Sequence, residues 1–147
     1  MLVNDPSNPL GSVWSVEHKR KIIEMCIRKK VPLIADEIYE EMSYDVQSPT
    51  FAELIKADEV DKITVFKCSG TTKRYLAPGW RMGWVIIYGS DKNQEIYRNK
   101  MKGIFNVILM PTTIMQVAVP GILFNENNNL RMRDRMEAMR INQQALK

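Results

Sequence analysis

A lysine, an arginine eight residues beyond it, and two polar clusters that follow apolar runs are the groups here best suited to chemistry. The lysine is Lys73 and the arginine is Arg81; the clusters are Asn4 to Asn8 and Asp36 to Tyr39. A lysine amine whose pKa is lowered by its neighbours becomes a nucleophile towards a carbonyl and a base towards a proton. A carboxylate such as Asp36 can keep a heterocyclic nitrogen protonated, and a phenol and an amide (Tyr39, Asn8) can donate to a ring oxygen. Arginine presents a planar fork that bonds two phosphate oxygens at once. Gly70 lies three residues before Lys73, in a stretch of small residues where backbone amides could approach a phosphate. Taken singly, each residue has an ordinary explanation: Asp36 opens a solvated loop, Tyr39 packs half-buried, Lys73 is a surface lysine, and Arg81 belongs to an ion pair.

Other chemistries have little support. One histidine, His18, stands among charges in a helical stretch, which removes a histidine triad or zinc site. Cys26 and Cys68 form neither a disulfide framework nor a metal-ligand spacing, and both read as small core residues. The 21 basic residues are interleaved with 17 acids, so the net charge of +4 marks no basic stripe. The cluster Arg131-Met132-Arg133-Asp134-Arg135 reads as a solvated helix face, with no aromatics to stack on nucleic acid. No apolar run approaches a bilayer span, and the first residues lack the basic flank and apolar stretch of a secretory signal. These features suit a cytoplasmic protein without membrane or nucleic-acid partners, a mitochondrial location of a full-length parent being left open.

The elements that must position these groups follow from the apolar pattern. Leu2-Val3-Asn4 is a short apolar opening, followed by the turn-rich Asp5-Pro6-Ser7-Asn8-Pro9-Leu10-Gly11. Ser15 is a good N-cap for a helix with apolar Val16, Ile23, Cys26 and Ile27, ending in the cations Arg28-Lys29-Lys30. The run 31–35 has the length and composition of a strand buried on both faces, 63–66 reads as a second buried strand, and 83–88 as a third strand. A short helix is expected at 51–55, and longer ones at 91–105, 112–123 and from 130 to the end, with 125–129 as a loop. Pro120-Gly121 should interrupt the second of these long helices. Buried strands alternating with helices predict an α/β fold, in which ligands collect at the carboxyl ends of the strands. The clusters at Asn4–Asn8, Asp36–Tyr39 and Ser69–Lys73 all sit at or just beyond such ends.

Together these residues supply what pyridoxal phosphate needs: a Schiff-base lysine, a carboxylate for its ring nitrogen, donors to its ring oxygen and a phosphate clamp. At this point the chain resembles the fold-type I aminotransferases, and most of all their tyrosine aminotransferase group. That family has an Asn-Pro-x-Gly turn, here Asn8-Pro9-Leu10-Gly11. It has an Asp-x-x-Tyr after a buried strand, here Asp36-Glu37-Ile38-Tyr39. It has a lysine followed eight residues later by arginine, here in Lys73-Arg74-Tyr75-Leu76-Ala77-Pro78-Gly79-Trp80-Arg81. The resemblance implies the mainly parallel sheet of a large cofactor-binding domain, followed by helices. It implies that Lys73 holds the cofactor and moves protons, Asp36 pairs with the ring nitrogen, Tyr39 and Asn8 bond the ring oxygen, and Arg81 clamps the phosphate. Many relatives have serine where this chain has Gly70; Ser69 and Thr71 are the possible substitutes. The substrates implied are an aromatic or similar L-amino acid and a 2-oxo acid, and the parent enzyme is expected to be a homodimer.

The same resemblance predicts that the 147 residues are a partial large domain. About 1–90 carries the motifs and 91–147 forms a helical tail, with a preceding segment and a following small domain absent. On that view the isolated chain is expected to be inactive or very weak. Two rivals stand beside it: a non-catalytic interaction protein that keeps the fold core, and a salt-sensitive anion- or nucleic-acid-binding module. Ten methionines, several in the tail, suggest an exposed sticky surface there, or else flexible core filler.

Overall fold

The computed structural model describes residues 1–43, 46, 48–108 and 111–146, and the side chains of all of these except 128, 129 and 131. It divides into two units: Met1–Gly70 with Gly83–Met110, and Thr71–Met82 with Pro111–Lys147.

The first unit is built on a four-stranded sheet in the order β1-β2-β3-β4. Its strands are β1 (Leu2–Asn4), β2 (Leu33–Asp36), β3 (Val65–Gly70) and β4 (Gly83–Tyr88). The first three are parallel, and β4 runs antiparallel to β3. This is the mainly parallel sheet expected, with the opening 2–4 added as a strand in its own right. The expected strand 63–66 starts and ends later, so that Cys68, Ser69 and Gly70 lie within β3. Pairing with β4 carries the strand that far, with Ser69 opposite Trp84 and Gly70 opposite Gly83. A side chain at Gly83 would place its Cβ 3.2 Å from the Ser69 carbonyl, so this end of the pair has room only for glycine or a small adjustment.

Helix α1 (Val16–Lys29) covers one face of the sheet. Ser15 caps it, its hydroxyl accepting from the His18 N–H at 3.2 Å. Lys30 ends it in the left-handed region at φ 54°, while Val31 donates back to Cys26 O at 3.1 Å, a left-handed stop usually built on glycine. Ile22, Ile23 and Cys26 pack on Val3, Leu33, Ala35, Val65, Phe51 and Ile63. Each large aliphatic side chain buried there contributes roughly 1.5–3 kcal/mol. The opposite face is only partly covered: Tyr97, on α3 (Asp91–Phe105), meets Phe66 edge-on at 5.0 Å. Ile34 stays exposed, against the expectation that run 31–35 is buried on both faces, and Val85, Ile86 and Tyr88 of β4 are exposed as well. The expected helix at 51–55 is instead a pair of turns, Leu54 N–H to Phe51 O and Ile55 N–H to Ala52 O. Thr50 and Glu53 exchange side-chain bonds at its start, a capping box without a following helix.

Two charged groups on α1 tie it to the loops. Arg20 meets Glu59 in a bidentate pair, with N···O distances of 2.8 and 2.7 Å, and also donates to Leu54 O at 2.7 Å. The Arg20 hydrogen bonds hold the Glu59 carboxyl down at about 2. Because that value is depressed, the stabilisation is present above pH 4.5 and is lost as the pH falls towards 2. Lys19 lies deeper: its ammonium is 2.6 Å from Asp5 Oδ2, with side chains only 3% and 0% exposed. This contact is an ion pair without hydrogen-bond alignment. Lys19 donates instead to Pro49 O at 2.8 Å and sits 5.4 Å from the centre of the Phe51 ring. The other Asp5 oxygen accepts from Trp14 N–H at 2.8 Å.

Glu37 is the other buried acid of this region. One oxygen accepts from Phe51 N–H at 2.9 Å and the other has no hydrogen-bond partner. Burial pushes its carboxyl up to about 6, against the Phe51 bond and the cations Lys67 and Lys19, with Glu40 adding to the rise.

The second unit contains α2 (Thr71–Arg74), α4 (Thr113–Leu123) and α5 (Glu126–Ala145). Helix α4 runs through Pro120, where the sequence suggested a break; one backbone bond is forfeited and the helix continues to Leu123. The expected loop 125–129 is the start of α5, because the Asn125 side chain accepts from Asn127 N–H at 3.0 Å and caps it. The exposed large apolar groups described in this unit are Leu76 and Trp80, and in its helical part Ile114, Val117, Phe124, Leu130, Ile141 and Leu146. The described methionines of the tail are half-buried and Met132 is buried, so methionine is not what makes this surface apolar. Arg133, Asp134 and Arg135 are solvated as expected, while the Arg131 side chain lies outside those described.

Two outcomes follow for stability. Lys19→Met leaves Asp5 buried without its cation and should lower the unfolding free energy by about 3 kcal/mol in urea. Lys21→Met, which removes the exposed pair with Glu17 (71% and 78% exposed), should leave the midpoint almost unchanged. For Glu37 the folded value is raised, so its stabilising effect holds below pH 4.5 and is lost as pH rises through about 6. The wild-type chain should therefore give up about 2 kcal/mol relative to Glu37→Gln between pH 4.5 and 7.5. Equal urea midpoint shifts in the two proteins would show that Glu37 is not the cause.

Candidate active site

The carboxyl ends of the parallel strands form one row: Asn4 is paired with Asp36, and Asp36 with Cys68. Asp36 is the last residue of β2 rather than the first of a loop, and its side chain is half-buried. Its Oδ1 accepts from Ile38 N–H at 3.4 Å. The chain then turns sharply through Glu40 N–H to Glu37 O and Met42 N–H to Tyr39 O, which sets Tyr39 just past the strand end. Across from it, the loop after β1 is closed by Gly11 N–H to Ser7 O at 2.7 Å and Ser7 N–H to Ser12 O at 2.9 Å. Gly11 takes φ 66°, a conformation suited to glycine. Asn8 reaches over from this loop, its Nδ2 donating to Tyr39 Oη at 3.1 Å. The two residues expected to share one ring oxygen are thus brought together. They line a cavity of about 260 Å³ with Pro6, Pro9, Met42 and Ser43.

Two neighbours were not foreseen. Asn4 Oδ1 accepts from Asn8 N–H at 2.8 Å, and its Nδ2 donates to Asp36 O at 3.2 Å. The sequence placed Asn4 at the head of the polar cluster after the apolar opening but gave it no role of its own. The second is the Lys67–Glu40 ion pair, which ties β3 to the turn bearing Tyr39. Burial, followed by the charges of Asp36 and Glu37, raises the Cys68 thiol, which disfavours its thiolate.

Lys73 and Arg81 lie in the second unit, on the loop joining β3 to β4. Thr71 closes the loop, its N–H and its hydroxyl both donating to Met82 O at 3.0 and 3.1 Å. Tyr75 N–H returns to Thr71 O at 3.1 Å, giving one helical turn on which Lys73 sits half-buried. A second turn, Pro78–Trp80, ends at Arg81 in the left-handed region at φ 51°. One Arg81 guanidinium nitrogen donates to Pro78 O at 3.2 Å. Of the two substitutes for a phosphate-binding serine, Thr71 has its donors turned to Met82 and Ser69 is buried in β3. Among the described residues no cluster of three or more metal-ligating side chains occurs, and no helix is long and apolar enough to cross a membrane. A larger concavity of about 500 Å³ lies at the other ends of the strands and contains none of these groups.

Each unit offers groups whose chemistry suits pyridoxal phosphate: in the first a strand-end carboxylate with a phenol and an amide in contact, in the second an amine and a guanidinium. Comparisons with known proteins give the family. The chain is 39% identical to tyrosine aminotransferase of Bos taurus over 128 residues, which cover 84% of this chain and 27% of that one. It is 35% identical to tyrosine aminotransferase of Dictyostelium discoideum, covering 89% of this chain and 31% of that one. It therefore spans little more than a quarter of the length of these curated relatives. Among solved structures, alanine aminotransferase from Pyrococcus furiosus superposes with a TM-score of 0.81 at 23% identity, over 99% of this chain and 35% of that one. An aspartate aminotransferase variant of Thermus thermophilus complexed with tryptophan gives 0.79 at 24%, with the same coverage. Both share the fold. The pattern described as aminotransferase class I and II matches residues 1–146, and the chain belongs to that family.

Proposed function

We propose that this chain is the lysine-bearing part of an aminotransferase that passes an amino group from an aromatic or similar L-amino acid to a 2-oxo acid. The observation that carries the reading is the Asn8–Tyr39 contact at the strand ends, one turn beyond Asp36. Pyridoxal phosphate, the cofactor of this family, supplies an electron sink when bound. The chain's own residues do the rest. Lys73 anchors the cofactor and carries a proton to and from the substrate's α-carbon. Asp36 keeps the ring nitrogen protonated. Tyr39 and Asn8 act on the ring oxygen: the Asn8 amide has a second donor beyond the one given to Tyr39. Arg81 binds the phosphate, and its left-handed backbone is the kind of strain that gathers at binding sites. We assign Thr71 to closing the loop, and Ser69 the lesser part of a phosphate neighbour.

The aromatic donor rests on the relatives named tyrosine aminotransferase. We read the chain as a portion of a large domain whose parent is a homodimer. Both cysteines are unpaired, which suits a reducing compartment such as the cytoplasm. A second reading, a non-catalytic interaction protein, draws on the exposed apolar residues of α4.

The test is to add pyridoxal phosphate to the chain, reduce with borohydride and map the modified lysines. A single reducible adduct at Lys73, lost in Lys73→Ala, is the expected result. An adduct that persists in the variant, or labelling spread over many lysines, overturns the assignment and favours the second reading.

A further inference from the structure

Resting on the cofactor reading above, we infer that Asn4 is the positioning residue that fixes the ring-oxygen donors relative to the ring-nitrogen carboxylate. Asn8 and Asp36 come from segments 28 residues apart, and Asn4 bonds to the backbone of both. Both partners are backbone groups of fixed polarity, an N–H and a C=O. A flipped amide would set donor against donor and acceptor against acceptor, so the orientation of Asn4 is determined by its neighbours. The parallel register places Asn4 directly beside Asp36, and the next peptide adds a second donor, Asp5 N–H to Asp36 O at 3.2 Å. The Asp36 carbonyl therefore receives two bonds from the β1 end, and the loop bearing Asn8 starts from the same point. No other side chain type serves both partners at this length. Aspartate keeps the acceptor but turns an oxygen towards the Asp36 carbonyl; serine is too short to span them.

The Asn4 side chain bonds backbone groups of Asn8 and Asp36 rather than the side chains proposed to meet the ring. It acts by keeping Asn8, and through it Tyr39, in register with Asp36. A small misplacement of such groups is costly, because orientation of the bound group depends on all of them at once.

The experiment uses the full chain, with Asn4→Ala, Asn4→Asp and, as a control for disturbing β1, Leu2→Ala, whose side chain is 67% exposed. The first readout needs no cofactor: hydrogen exchange of the Asn8 amide by NMR. Protection should fall about tenfold in Asn4→Ala and be retained in Asn4→Asp and Leu2→Ala. The second readout is the affinity for pyridoxal phosphate and the absorption maximum of the Lys73 adduct. Affinity should weaken about tenfold in both Asn4 variants, with a shifted maximum, and stay unchanged in Leu2→Ala. If the Asn4 variants keep wild-type affinity and spectrum, Asn4 has no positioning role. If Leu2→Ala moves them equally, the effect belongs to β1 as a whole and the inference fails. If the wild-type chain forms no adduct at Lys73, the cofactor reading itself has failed and takes this inference with it; amide exchange then reports only a structural tie.

Discussion

Asp5 and Lys19 meet where solvent does not reach, and three segments of the first unit are fastened at that point. Asp5 follows β1 and opens the loop that carries Asn8; Lys19 belongs to the second turn of α1 and also bonds Pro49. The same carboxylate accepts from Trp14, so the loop leaves and returns to a single fixed charge. Burying two ions is expensive, and a well-packed apolar pair could be as stable. An apolar pair would not specify direction, however. The ion pair, with one oxygen taken by a backbone N–H and the ammonium bonded to a carbonyl, defines where the loop must lie. The donors at its tip inherit that position.

The second constraint is the parallel register. Because Asn4, Asp36 and Cys68 are direct neighbours across three strands, whatever follows each of them emerges at one edge of the sheet. This is why residues far apart in sequence, Asn8 and Tyr39, are within hydrogen-bond distance. In the loop from Thr71 to Met82, closure is achieved differently, by two bonds from one threonine to one carbonyl. Lys73 and Arg81 are held on two short turns within that closure, and a residue other than glycine accepts a left-handed backbone at Arg81 to make the second turn end there.

The family was legible in the sequence because its motifs are residue types at fixed spacing: Asp36 to Tyr39, Asn8 to Gly11, Lys73 to Arg81. Helix α1 was legible for a similar reason, its cap at Ser15 and its apolar stripe being local signals. The tertiary partners were not. Nothing in the sequence marks Lys19 as buried among its neighbours His18, Arg20 and Lys21, since its burial follows from where Asp5 and Pro49 arrive. A short helix was expected at 51–55, but Phe51 is drawn into the core under α1 and its N–H goes to Glu37, so the chain turns instead. The strand expected at 63–66 runs on to Gly70, because pairing with β4 extends it through the small residues Ser69 and Gly70.

Glu37 shows how the site and the interior constrain one another. Asp36 and Tyr39 have to face the strand ends, and the alternation of the strand then turns the residue after Asp36 inward. A buried position next to Asp36 is a poor one for a second acid, and burial raises its carboxyl accordingly. What Glu37 provides is reach: its carboxylate bonds Phe51 N–H from fourteen residues away, which an alanine or valine could not do. Lys67 and Lys19 oppose the cost of its charge, and each is itself paired with an acid, Glu40 and Asp5. Beside the apolar core, the groups beneath the site are three acids and two lysines, with Glu37 the acid in excess. Removing either lysine leaves its own acid uncompensated as well as Glu37. These charges tie the turn bearing Tyr39 to the loop bearing Asn8, and so couple the stability of the first unit to the placement of those two residues.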